Sequence, residues 1–185
     1  MFSNESLYGL VFLKQEEDGK ISGKPFKKEE YTTMFDLYFK EDIQGEKIIV
    51  FNAKIRKQYN HKLEKEEKFI TEARMYHQMD EKYKLITINE AIEQGSYKED
   101  GYTKNINKTF KQYPYGYYMY FRELLQKKMK GVLLNKRLYA IKHYILFSYL
   151  TKNKFDSRFI KDKLNKILYI ILYIPGMVKS KRTKI

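Results

Sequence analysis

The chain has no cysteine and no tryptophan. The first absence excludes a disulfide framework and any thiolate zinc site, and it fits a reducing compartment. The first residues, MFSNESLYGLVFLKQEEDG, lack a basic start and a clean apolar core of signal-peptide type. No Gly-rich phosphate loop of GxGxxG or GxxxxGK[ST] type occurs. The histidines, His61, His77 and His143, never fall at HxxxH or HExxH spacing, so they give no metal signal. Acid is scarce in one region only. Residues 1–121 carry 20 Lys+Arg against 20 Asp+Glu, whereas residues 122–185 carry 17 against 3. The whole net charge of +14 therefore sits in the last third, which points that third toward something anionic, either a phosphate-rich lipid surface or a nucleic acid.

The 185 residues suffice for a domain with a real core, and 43% hydrophobic against 32% charged residues places the chain in the folded class. Tyrosine is heavily used, with 18 residues. Leu7–Leu13 and Lys47–Asn52 are β-prone apolar runs and read as strands. The stretch Glu16–Gly23 between them reads as a turn, and Gly45 breaks the chain. Pro25–Lys40 has Tyr31, Met34, Leu37 and Tyr38 at helical spacing, and Ala53–Tyr59 suits one or two helical turns. A helix is expected over Lys68–Asp80, with Phe69, Ala73, Tyr76 and Met79 on one face. Leu85–Ile88 reads as a buried strand, Ala91–Tyr97 as a weaker one interrupted by Gly95, and Lys98–Tyr102 as a loop. From Lys104 onward the signals are helical: a first region punctuated by Pro114 and Gly116, then Leu133–Leu150 and Arg158–Ile174, with Pro175-Gly176 ending the last helix.

One carboxylate stands out. Glu72 lies three residues after Phe69 and four before Tyr76, at the border of that apolar face. A carboxylate against apolar neighbours has a raised pKa, which suits a general base; the alternative on spacing alone is a solvated helix residue.

The order of these pieces resembles the C-terminal half of the catalytic domain of family 2 glycosyltransferases, especially bacterial ones that build surface polysaccharides. GEKIIVFN (Gly45–Asn52) and EKFITEA (Glu67–Ala73) look like the family's Gly-containing strand region and the helix start that bears its base. Glu72 falls where the second acid of the family's Glu-Asp pair would sit, while Thr71 replaces the first; Glu66 and Glu67 are the stand-ins. The loop SYKEDGYTKN is similar to the segment after the family's last strands, matched by Tyr97, Asp100, Gly101 and Thr103, with Asp100 able to shape the acceptor pocket or approach the metal diphosphate. A plain surface turn is the other reading of that loop.

The resemblance implies an α/β fold: a partial GT-A-like mixed sheet with flanking helices in residues 1–103, then a helical basic extension in 104–185. It implies a nucleotide-sugar donor and a divalent metal, Mn or Mg, for the full-length family, and a saccharide or lipid-linked acceptor. The Pro-Val-Tyr-Asn turn and acidic metal motif of the family's nucleotide-binding half have no match here. The expectation is therefore a truncated chain or one completed by a second polypeptide, inactive alone, exposing a sheet edge and apolar surface.

The last feature is ILYIILYIP (Ile167–Pro175) followed by Lys179, Lys181, Arg182 and Lys184. The run is far short of the ~20 residues that cross a bilayer. It suits an interfacial helix with Tyr169 and Tyr173 at headgroup depth and the basic residues on anionic phosphate, on the inner face of the plasma membrane. A terminal helix packed on the domain is the alternative. A competing functional class is a non-catalytic basic, Tyr-rich module that binds an anionic membrane or nucleic acid, although no nucleic-acid-binding motif is present.

Overall fold

The computed structural model describes residues 6–60, 67, 69–95, 106–153 and 156–182, with the backbone alone for 174–182. The chain divides into two compact units, residues 1–61 with 75–101, and residues 62–74 with 102–185.

The first unit is a mixed four-stranded sheet in the order β2-β4-β1-β3, made of β1 (Leu7–Gln15), β2 (Tyr31–Thr32), β3 (Lys47–Phe51) and β4 (Lys84–Gln94). β1 runs parallel to β4 and antiparallel to β3, and β2 pairs antiparallel with β4. A parallel pair needs a long crossover. Here it contains β2, α1 (Met34–Phe39), β3, α2 (Ala53–Arg56) and α3 (Glu72–Met79). The expected α/β class with a mixed sheet and flanking helices is what the molecule shows. Tyr8, Val11 and Leu13 of β1 are buried with Leu85 of β4, Leu37 of α1, Ile55 of α2, and Met75 and Met79 of α3.

Three expectations change in this unit. The helix expected over Pro25–Lys40 shrinks to Met34–Phe39, and Tyr31–Thr32 become a strand. The cause is tertiary. The Thr87 hydroxyl accepts from the Glu30 N–H at 2.9 Å, and the Asn89 side chain both accepts from and donates to the Phe26 backbone, at 2.9 and 3.0 Å. These bonds tie residues 26–30 to β4, with a bend at 27–28, and keep them out of a helix whatever their apolar spacing. The two strands expected after Leu85 are one, β4, whose parallel register with β1 shifts between Phe12 and Leu13 and again before Lys14. A bulge of this kind lets a strand continue past a break in pattern. The helix expected from Lys68 begins at Glu72.

Glycine is required where two turns cross. Gly23 and Gly45 have φ of 75° and 83°, and a Cβ on Gly45 would lie 2.2 Å from the Ser22 carbonyl oxygen. Only glycine tolerates both the sign of φ and that approach.

The second unit holds α4 (Ile106–Gln112), α5 (Pro114–Gln126), α6 (Leu134–Leu150) and α7 (Lys163–Arg182). Its core is aromatic: Phe147 of α6 stacks on Tyr117 and Phe121 of α5, with ring centroids 5.2 and 5.7 Å apart. Arg137, buried in the first turn of α6, donates to Asp162 Oδ1 at 2.8 Å, to Asn165 Oδ1 at 3.0 Å and to the carbonyls of Val132 and Met129. Asp162 also accepts from the Asn165 N–H at 3.1 Å, the bond of a helix N-cap. This cap starts α7 at Lys163 instead of Arg158, whose own N–H folds back on Asp156. At the other end α7 continues through Pro175-Gly176 to Arg182. A proline removes its own N–H bond and crowds the preceding turn, but it leaves the residues after it free to be helical.

His143 of α6 lies in this aromatic core, stacked on Phe121 at 5.0 Å and beside Tyr139 at 4.0 Å. Burial pushes its pKa down, an effect partly offset by the hydrogen bond of Nδ1 to the Tyr139 carbonyl and reinforced by the Lys142 charge. The unfolded chain therefore takes up the proton first. The contribution of the neutral ring is complete above the ordinary imidazole value of about 6.5 and is lost as pH falls through the lower folded value. Melting temperature should drop between about pH 7 and pH 5, and His143→Phe should flatten that slope; an unchanged slope would remove His143 as its cause.

Candidate functional site

The residues around Glu72 are fixed to α5 at three points. Tyr113, the residue before α5, offers no side-chain cap, and Pro114 opens the helix. The Glu67 carboxylate supplies the cap from elsewhere in the chain: Oε1 accepts from the Tyr115 N–H at 2.6 Å and Oε2 from the Gly116 N–H at 2.7 Å. Carboxylates are favoured there because the first N–H groups of a helix have no partner within it and carry positive partial charge. Gly116 makes room: a Cβ at that position would stand 2.9 Å from the Phe69 carbonyl oxygen and 3.4 Å from Glu67 Oε2.

Two residues on, the Phe69 ring lies between Tyr113 and Tyr117, at 5.9 and 5.8 Å. At the third point, Arg74 forks onto the Glu123 carboxylate, Nη2 at 2.6 Å from Oε1 and Nε at 2.9 Å from Oε2. A two-pronged guanidinium–carboxylate pair fixes orientation as well as distance.

Glu72 lies between the second and third anchors, as the first residue of α3, and it is exposed. The apolar setting expected for it is not present. The expected face needed Phe69 within the helix, but α3 starts three residues later, and the Phe69 ring is taken up by Tyr113 and Tyr117. What remains is an exposed carboxylate on a fixed backbone at the positive end of a helix. Of its stand-ins, Glu67 has both oxygens engaged in the α5 cap, and Glu66 lies outside the described residues.

Tyr97, Asp100, Gly101 and Thr103 also lie outside the described residues, as does Lys184, and the side chains of Lys179, Lys181 and Arg182 are not described. Tyr169 does not face solvent: it is 5% exposed and sits against Tyr144 and Tyr173, at 6.0 and 5.7 Å. Burial raises its phenol pKa well above the ordinary value. Tyr173 is half-buried. The buried side of α7 is thus the one given above to headgroups, and the solvent side carries aliphatic residues.

The cap by Glu67 and the pair Arg74–Glu123 were not read from the sequence. One signal for the first was present: Pro114 opens a helix with Tyr113 at the cap position and no Ser, Thr, Asp or Asn there, so its first N–H groups have no local side-chain acceptor. Among the described residues, no group of three or more His, Asp or Glu side chains stands together to hold a metal ion. No helix among them is long and apolar enough to cross a membrane.

No protein-family model, no curated protein and no solved structure matches the chain.

Proposed function

We propose that this chain provides the acceptor side of a nucleotide-sugar-dependent glycosyltransferase of the GT-A type, with Glu72 as general base. The observation that carries the reading is Glu72 itself: an exposed carboxylate opening a helix, after a strand in chain order, between two anchored neighbours. A base must reach the acceptor hydroxyl in a reproducible position. Exposure gives the reach, and the anchors at Phe69 and Arg74 give the position.

In the proposed reaction the acceptor oxygen attacks the anomeric carbon of the donor. The Glu72 carboxylate takes the hydroxyl proton, and the nucleoside diphosphate leaves with the electron pair of the broken carbon–oxygen bond. One carboxylate is enough because the diphosphate is already a good leaving group. Attack and departure on opposite faces invert the sugar. The family resemblance brings a divalent metal to the donor, but the described residues offer no ligand set for it, and no step assigned to them runs through a metal. The acceptor class is a saccharide or lipid-linked saccharide, and the place of reaction the cytoplasmic face of the membrane.

The test is stereochemical. Membranes from cells expressing the gene at its natural locus are given a nucleotide sugar of known anomeric configuration, and the new linkage is read by NMR. Inversion is expected. Retention would contradict a single-base reaction, because it comes from a double displacement or from departure and attack on one face of the sugar, and a base that activates opposite-face attack gives neither.

A further inference from the structure

The solvent face of α7 is apolar where a terminal helix of a basic unit would be expected to be polar. Leu164, Ile167, Ile170 and Ile171 are 45, 55, 66 and 62% exposed. At 100° per residue, Leu164, Ile167 and Ile171 form one stripe, and Ile170 widens it. The roll of the helix is fixed from the other side: Asn165 is buried beneath the Arg137 guanidinium and Tyr169 is buried against Tyr144. The stripe therefore cannot turn inward without breaking those contacts. Scattered exposed aliphatics are ordinary, but four on two turns form a contiguous patch that needs a partner.

The charges around the patch select that partner. Lys161, Lys163 and Lys166 are exposed on the same stretch, and its one acid, Asp162, is already committed to Arg137 and the helix cap. A second copy of the chain on this face would bring like charges together. A nucleic acid would meet the lysines but leave the isoleucines in water. A bilayer with anionic headgroups satisfies both: the aliphatic stripe enters the acyl boundary and the lysines remain at phosphate depth. We propose that α7 lies in the interface of an anionic lipid bilayer through Leu164, Ile167, Ile170 and Ile171, with Lys163 and Lys166 on the headgroups. None of these residues takes part in the chemistry assigned to Glu72.

The test is flotation of the full chain with phosphatidylcholine vesicles, with and without phosphatidylglycerol. Binding is expected only with phosphatidylglycerol, and weaker in high salt. Ile167→Ser with Ile171→Ser should weaken it at least about tenfold, and Lys163→Gln or Lys166→Gln about fivefold each. Because the chain has no tryptophan, Ile170→Trp gives a single fluorescent reporter on the face, whose emission should shift to the blue on anionic vesicles. Equal flotation with both vesicle types, or an Ile167/Ile171 variant that binds like the parent, would overturn the proposal. So would an unshifted Ile170→Trp emission, which stays informative even where the double serine variant fails to fold. A concentration-dependent dimer abolished by the serine pair, with no vesicle binding, would assign the face to a second copy and overturn it equally.

Discussion

Asp80→Ala should destabilise the sheet-bearing unit by about 3–5 kcal/mol. The Asp80 carboxylate is the acceptor for three separate donors: Oδ1 takes the Tyr8 hydroxyl at 2.8 Å and the Met34 N–H at 3.1 Å, and Oδ2 takes the Phe35 N–H at 2.9 Å. It thus satisfies the start of α1 and ties that helix to the central strand. Tyr8 is fully buried, and burial together with the Asp80 charge drives its phenol pKa far up, so it remains a donor. Removing the carboxylate leaves a buried hydroxyl and two buried N–H groups without that acceptor. Orphaned buried donors cost about 1–3 kcal/mol each, and three of them near the low end of that range give the figure. Urea unfolding of the parent and of Asp80→Ala measures the loss, and Tyr8→Phe combined with it should cost less than the two singles added. A loss under about 1 kcal/mol would show that water replaces the carboxylate and that α1 is held by its packing instead.

Glu72→Gln should lower kcat of sugar transfer by about 10²–10⁴-fold, the range for removing a positioned general base. KM for the acceptor should change little, since glutamine keeps the size and hydrogen-bonding capacity of the side chain while losing its affinity for the proton. Glu72→Asp withdraws the carboxylate by one methylene and should fall between the two. The same substitution should leave melting temperature nearly unchanged, because the side chain is exposed. That combination, a large loss of kcat with intact stability, separates a base from a residue that only shapes the loop.

Sequence pattern proved strongest where local periodicity and burial agree. The strands at Leu7 and Lys47 and the helix ending at Leu150 lie within a few residues of where their apolar runs place them. Pattern misled where a distant side chain overrode it. The spacing of Tyr31, Met34 and Leu37 fits a helix, yet Thr87 and Asn89, more than fifty residues away, hold residues 26–30 against β4 and out of a helix. The start of α3 failed for a related reason: Phe69 has the right spacing for α3 but a better partner in the aromatic side of α5.

Of the candidate site, the place of Glu72 on a helix was legible, but its place as the first residue was not, since the pattern puts the start at Lys68. Its environment was not, since burial depends on which elements meet, and spacing on one helix is silent about that. The α7 tail shows the same limit. Its apolar content was visible, but periodicity did not say whether Tyr169 or Ile167 faces the protein. Asn165 and Arg137 decide that, through bonds between residues 28 positions apart.

The central claim is that Glu72 is the base of a sugar transfer. The most direct measurement uses cells in which the natural copy of the gene carries Glu72→Gln, compared with the parent and with a deletion. Labelled nucleotide sugar is supplied to their membranes, and label in the lipid-linked and polysaccharide fractions is counted. The account predicts label in the parent and near-deletion levels in Glu72→Gln, with equal amounts of the protein present. Full labelling in Glu72→Gln, or labelling in the deletion equal to that of the parent, would contradict it.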